Sequence, residues 1–273
     1  VKMSGNVQSI GMYSFSNCET LSTIALPDTL VSVGDMAFAY CTSMKEITIP
    51  ASLETMGDEA FFYCSDLTTI YYNAVNCDYD GAFSAFNKCP NLSTVIVSDE
   101  VETIPMRFFE NCSGITKLVL GSSLRKISGE AFDGCENLTE VNFPEGVAHI
   151  ESFEECTNLQ KITLPESVTY IGDFAFHSCT FYRIALPQGL TVAQPTALKS
   201  VGYNQWNPDN IIKNNGIVGD AQVHAEAEAL PVLGQVGDAA KTFVSGDNKG
   251  KGLSGRWNAA KKKDFCRLGN SYE

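Results

Sequence analysis

One unit recurs along most of this chain: a phenylalanine, two free positions, then a cysteine. The pairs are Phe15/Cys18, Phe38/Cys41, Phe61/Cys64, Phe86/Cys89, Phe109/Cys112, Phe132/Cys135, Phe153/Cys156 and Phe176/Cys179. Successive cysteines lie 23, 23, 25, 23, 23, 21 and 23 residues apart. A fixed period of this length marks a repeat architecture, because one such unit cannot bury its own apolar row. Stacked on its neighbours it can, and each coil then contacts only the next.

The rest of the coil follows the same register. Three residues after each of the first seven cysteines stands Leu21, Met44, Leu67, Leu92, Ile115, Leu138 or Leu159, and three further on comes Ile24, Ile47, Ile70, Val95, Leu118, Val141 or Ile162; the eighth copy has lost one residue but keeps Ile184, Leu186 and Pro187. Two more residues give Leu26, Ile49, Tyr72, Val97, Leu120, Phe143 and Leu164, followed in several coils by proline (Pro27, Pro50, Pro144, Pro165). The alternation predicts a short strand with period-two side chains, which proline ends because it has no N–H to donate. After it come a turn and a second short extended or helical segment. The reading is a β-rich solenoid of about 23 residues per coil, with eight full copies over residues 1–201. That span ends in a decayed ninth half-copy, residues 190–201, in which Ala197-Leu198 and Val201 take the Ala-Phe and cysteine places. Val7 and Ile10 begin mid-coil, so the native protein is predicted to continue N-terminal to Val1. Residues 202–273 lose the period and read as a cap, a linker or a small irregular domain.

The cysteines invite chemistry, and the spacing argues against it. A metal site wants close pairs, and none exists. Neighbouring coils are near enough for a disulfide, but side chains in a stacked ladder point the same way, which suits packing. Cysteine is small, apolar and often buried, and Val201 fills its place in the last copy. Cys18, Cys41, Cys64, Cys89, Cys112, Cys135, Cys156 and Cys179 are therefore expected as buried, inert thiols beside a spine of eight phenylalanines. Cys77 lies outside the ladder, in the coil with two extra residues, beside Asp78, Asp80 and Gly81. That D-x-D-G fragment lacks the distal glutamate of a calcium loop and reads as an exposed bulged loop.

Charge narrows the partners. Residues 1–201 hold 10 Lys/Arg against 24 Asp/Glu, a balance of −14 within a chain total of −13. Phosphate backbones need clustered Lys and Arg, so nucleic acid is excluded and polar or basic partners are favoured. No run of 18 apolar residues exists to span a membrane.

The L-x-x-I-x-L-P half followed by the I-G-x-x-A-F-x-x-C half resembles the leucine-rich repeat, in its BspA-like or Treponema-type variant, over residues 7 to about 201. The resemblance implies a non-enzymatic cell-surface or secreted protein of an anaerobe, adhering to a protein or glycan ligand such as a host matrix protein. It also implies that the outward strand residues form the binding face. Tyr71, Ile96 and Val119 are consecutive and apolar there, with Thr48, Thr94 and Lys117 beside them, and these are the candidate ligand-binding residues. No catalytic, cofactor or metal residues are expected. His149 and His177 sit in free positions of separate coils, and His224-Ala225-Glu226 is only the first half of the zinc deaminase signature H-x-E…P-C-x-x-C. Cys266 is the single cysteine after it. The alternatives are an enzymatic or toxin-like tail displayed on the scaffold, or a structural spacer within a longer surface protein.

Overall fold

The computed structural model describes residues 3, 5–79, 81–181, 184–193, 211–213 and 216–217. Among them every regular element is a β-strand, and the strands build two walls of a parallel solenoid. The first wall holds the longer strands. Glu46–Ile49, Thr69–Tyr72, Thr94–Val97 and Lys117–Val119 form one parallel sheet. Glu140–Asn142 pairs with Lys161–Thr163, and Ile184–Leu186 pairs with Ile211–Lys213, which turns back antiparallel onto Gly216–Ile217. Exposure alternates along Glu46–Ile49 and Thr69–Tyr72, as a half-buried strand requires. Ile47, Ile49, Ile70 and Tyr72 point inward.

The second wall is a ladder of two-residue strands. Ser9–Ile10, Ser32–Val33 and Thr55–Met56 make one run. Thr103–Ile104, Lys126–Ile127, His149–Ile150, Tyr170–Ile171 and Val192–Ala193 make the other. The break falls at the 25-residue coil, where the pairing shrinks to a single bridge between Thr55 and Asp78.

A third wall, residues 11–18 and their equivalents, is neither strand nor helix. Beside six of the eight Phe-x-x-Cys pairs, residues in the left-handed region recur two before the phenylalanine: Tyr13, Met36, Glu59, Arg107, Glu130 and Phe174. They recur again just before every cysteine, at Asn17, Tyr40, Tyr63, Lys88, Asn111, Gly134, Glu155 and Ser178. Left-handed backbone is uncommon for residues other than glycine. Here rungs between coils hold it. The N–H groups of Tyr13, Phe15 and Asn17 are donated to the carbonyls of Asp35, Ala37 and Ala39 at 2.8 to 3.1 Å, and those of Met36, Phe38 and Tyr40 to Asp58, Ala60 and Phe62 at 2.7 to 3.0 Å. Intervening residues close short turns within the coil, such as Ser16 N–H onto Tyr13 O. Backbone donors that a lone turn would leave to water are thus satisfied by the next coil.

Inside the walls runs the phenylalanine spine. From Phe15 to Phe176 each ring stacks on the next with centroids 5.0 to 5.9 Å apart and planes within 13°. Beside it, Cys41 donates its thiol to Phe15 O, and Cys64, Cys89, Cys112, Cys135, Cys156 and Cys179 each address the phenylalanine carbonyl of the preceding coil, at 3.1 to 3.8 Å. All seven are buried and free, while Cys18 and Cys77 are half-buried.

The two irregular coils carry the core's two buried polar residues, Ser84 and Ser152. In regular coils the phenylalanine N–H reaches the next coil's carbonyl directly, as Phe38 reaches Ala60 at 2.7 Å. At the long coil the bond is relayed: Phe86 N–H donates to Ser84 Oγ at 3.1 Å, which donates to Phe108 O at 2.8 Å. At the 21-residue coil Phe132 N–H donates to Ser152 Oγ at 2.6 Å. The Asp133 carboxylate accepts Phe153 N–H at 2.8 Å and Glu154 N–H at 3.0 Å. Side chains replace the rungs that an insertion and a deletion remove.

Candidate interaction surface

The six candidate residues of the first wall come together on its outer face. Register pairs Thr48 with Tyr71, Tyr71 with Ile96, and Ile96 with Val119, so these four make one row across four strands. Thr94 and Lys117 are neighbours in the adjacent row. Tyr71 is 36% exposed and Val119 40%, and Ile96 lies between them half-buried. The row exists because Ile70, Val95 and Leu118, one residue before each, are locked inward, and a period of two turns the following side chain outward. Beyond this sheet, Lys161 Nζ meets Glu140 Oε1 at 2.6 Å, an exposed pair that neutralises the outer face there.

The insertion beside the row is more ordered than a bulged loop suggests. Tyr79 is buried in the core and donates its hydroxyl to Phe83 O and to Asp58 Oδ1, and Phe83 N–H is donated to the same Asp58 oxygen at 3.0 Å. The Phe83 ring projects from a backbone fastened on both sides and is half-exposed. Asp80 lies outside the described residues, and so do His224, Glu226 and Cys266. Among the described residues, no group of three or more His, Cys, Asp or Glu side chains could hold a metal.

The thiols have the electrostatics of a packed interior. Burial pushes Cys41 up to about 11 and Cys77 up to about 12, and it raises Cys112, Cys135, Cys156 and Cys179 as well. Cys89 is raised first by the hydrogen bond with Cys64 and then by burial. A thiol held protonated is a poor nucleophile and a poor metal ligand. Sequence reasoning missed the third wall altogether, where exposed Tyr13, Tyr40, Tyr63, Phe83 and Met106 project. Its signal was Asn, Asn and Gly at positions 17, 111 and 134 of one column, residue types that tolerate left-handed backbone.

The profile described as BspA type leucine rich repeat region matches residues 1–84 and 81–203 with six copies. The chain belongs to the BspA-type leucine-rich repeat family. A solved structure agrees with this. A leucine-rich repeat protein from Bacteroides ovatus is 29% identical, with a TM-score of 0.63 over 78% of this chain and 53% of that one. The leucine-rich repeat protein of T. pallidum is 29% identical over 50% of this chain and 64% of that one, with a TM-score of 0.42. A leucine rich cell surface protein from Faecalibacterium prausnitzii is 24% identical over 76% of this chain and 63% of that one, with a TM-score of 0.40. This BspA-type chain thus spans about half the length of the Bacteroides relative. Among curated proteins no match is found. The BspA-type solenoid is a repeat scaffold, and among its described residues there is no helix long and apolar enough to cross a membrane.

Proposed function

We propose that this solenoid is a non-enzymatic binding scaffold, displayed at a cell surface or secreted, that engages a protein or glycan ligand, such as a host matrix component, through the outer face of its first wall. One observation carries the reading: Thr48, Tyr71, Ile96 and Val119 form a single outward row across the continuous four-stranded sheet. Contiguous exposed apolar residues on an otherwise polar sheet are a common mark of an interaction site. Parallel strands hold the row rigid, so binding orders little backbone and keeps the entropic cost low. Thr94 and Lys117 supply polar contacts at its margin.

The test is a screen of the chain against immobilised matrix proteins, glycans and host cells, run beside a Tyr71→Asp/Ile96→Asp variant of unchanged circular dichroism and melting. Loss of a captured ligand by at least about tenfold, or about 1.4 kcal/mol, in the variant is the expected result. A ligand held equally well by the variant would remove this face from the reading. Capture of nothing would favour a spacer role.

A further inference from the structure

Eight large hydrophobic side chains are exposed among the described residues, and six of them lie on the third wall: Met12, Tyr13, Tyr40, Tyr63, Phe83 and Met106. The other two, Tyr71 and Val119, belong to the row on the first wall. The third wall is also divided lengthwise. Its first five coils carry all six of these exposed aromatic and thioether side chains. Tyr40 packs against Tyr63 with centroids 5.6 Å apart and against Phe62 at 5.3 Å, while Lys88 Nζ stands 5.6 Å from the Phe62 ring centre. From the fifth coil on it carries Glu110, Glu130, Glu154 and Glu155, against Asp35, Asp58 and Glu59 in the earlier coils, where Asp58 is held by Tyr79 and Phe83. Cationic neighbours there are few: Arg107 contacts Glu130 at 2.7 Å and Glu110 at 3.8 Å, and His177 contacts Glu154 at 3.1 Å.

We propose that the third wall is a second docking face, separate from the first-wall row, and that its occupant is a polypeptide joining apolar anchor residues to a run of lysine or arginine. The apolar half supplies what a protein-binding hot spot uses: tyrosines with few rotatable bonds, set on backbone that rungs fix on the neighbouring coil. The anionic half sets the sign of the partner. Opposed potentials favour and steer a cationic segment and reject acidic ones. Nucleic acid and anionic lipid fail on the same ground, and a second copy of this chain would set carboxylates against carboxylates in a molecule of net charge −13. A neutral glycan stacks on tyrosine but gains nothing from the acidic half.

The probe is a short fluorescein-labelled peptide with paired tryptophans followed by a lysine run, titrated against the full chain by anisotropy beside a counterpart with a glutamate run. Tyr40→Asn/Tyr63→Asn tests the apolar half, and it is chosen because Asn17 and Asn111 already occupy that left-handed column. Glu154→Gln/Glu155→Gln tests the acidic half, with the titration run at pH 8, above the value of about 7 to which Glu154 is pushed. The expected result is saturable binding of the lysine peptide that weakens with salt, falls about fivefold to tenfold in either double variant, and is unchanged in Tyr71→Asp/Ile96→Asp. Equal binding of the glutamate peptide, no saturable binding, loss only in the first-wall variant, or retention only of immobilised neutral glycans would each overturn the proposal. Because the first-wall variant leaves the third wall intact, failure here is distinguishable from failure of the function proposed above.

Discussion

Ser152→Ala is the sharpest test of how this solenoid tolerates a coil of the wrong length. Ser152 is fully buried, and its hydroxyl is the acceptor for Phe132 N–H at 2.6 Å. It also donates to Asp133 Oδ1 at 3.3 Å, but Asp133 keeps the N–H groups of Phe153 and Glu154. The substitution therefore orphans one buried backbone donor, at a cost of about 1–3 kcal/mol. For a domain of this size that is a fall in Tm of about 2–4 °C for each kcal/mol. Ser84→Ala should cost a similar amount, since it breaks the relay from Phe86 N–H to Phe108 O. Ser32→Ala is the control: its hydroxyl meets Ser9 Oγ at 2.8 Å in an exposed pair, and its cost should stay within about 0.5 kcal/mol. Urea unfolding followed by circular dichroism, with an unchanged slope, reads all three. One outcome defeats the reasoning. If Ser152→Ala matches wild type within about 0.5 kcal/mol, Phe132 N–H has moved onto the carbonyl of residue 152, and the short coil makes an ordinary rung unaided.

Two further outcomes bear on titratable groups. At mildly alkaline pH a disulfide reagent should modify, among the described cysteines, Cys18 and slowly Cys77, while the buried ladder thiols react only on unfolding; rapid loss of the ladder thiols with circular dichroism intact would contradict their packing role. Burial first, then Glu155 and Glu130, pushes Glu154 up from 4.5 to about 7. Between those values the folded state holds more protons than the unfolded, so this group's contribution is most favourable below 4.5 and is lost as pH rises through 7. Glu154→Gln should flatten that part of the stability–pH curve, measured with His177 present at 3.1 Å; an unchanged curve would place Glu154 in water.

What the sequence makes legible is whatever repeats within one coil. The inward columns, the strand before the proline, the phenylalanine stack and the buried thiols all follow from side-chain period and size. The left-handed wall does not, because its stabilisation lies between coils. Tyr40, Lys88 and Glu155 are poor residues for left-handed backbone when read alone, and only the rung bonds to the next coil make the conformation affordable. The spacings of 25 and 21 do mark the irregular coils. The two serines that repair them are visible only afterwards, Ser152 as a hydroxyl standing where most coils have alanine. The candidate row was readable because a strand's outward positions follow from its inward ones.

The same separation says where function can reside. Phe, Cys and the inward aliphatics are committed to stacking: their hydrogen bonds and contacts are spent on the neighbouring coil, and changing them alters stability before it alters recognition. Individual character is left to the outward columns. On the first wall those columns are mostly short or polar, and the single apolar run, Tyr71, Ile96 and Val119, crosses three strands. On the third wall the outward column before the cysteine runs Asn17, Tyr40, Tyr63, Lys88, Asn111, Gly134, Glu155 and Ser178, although the backbone beneath all eight is the same left-handed turn. Backbone geometry cannot be what selects tyrosine over asparagine or glycine there, since asparagine and glycine fit it with less strain. Two adjacent tyrosines, exposed at 40% and 44% and supported by Phe62, go against that conformational preference without adding to the core. A partner that stacks on them would supply the missing reason, and the two double variants separate that partner from any ligand of the first wall.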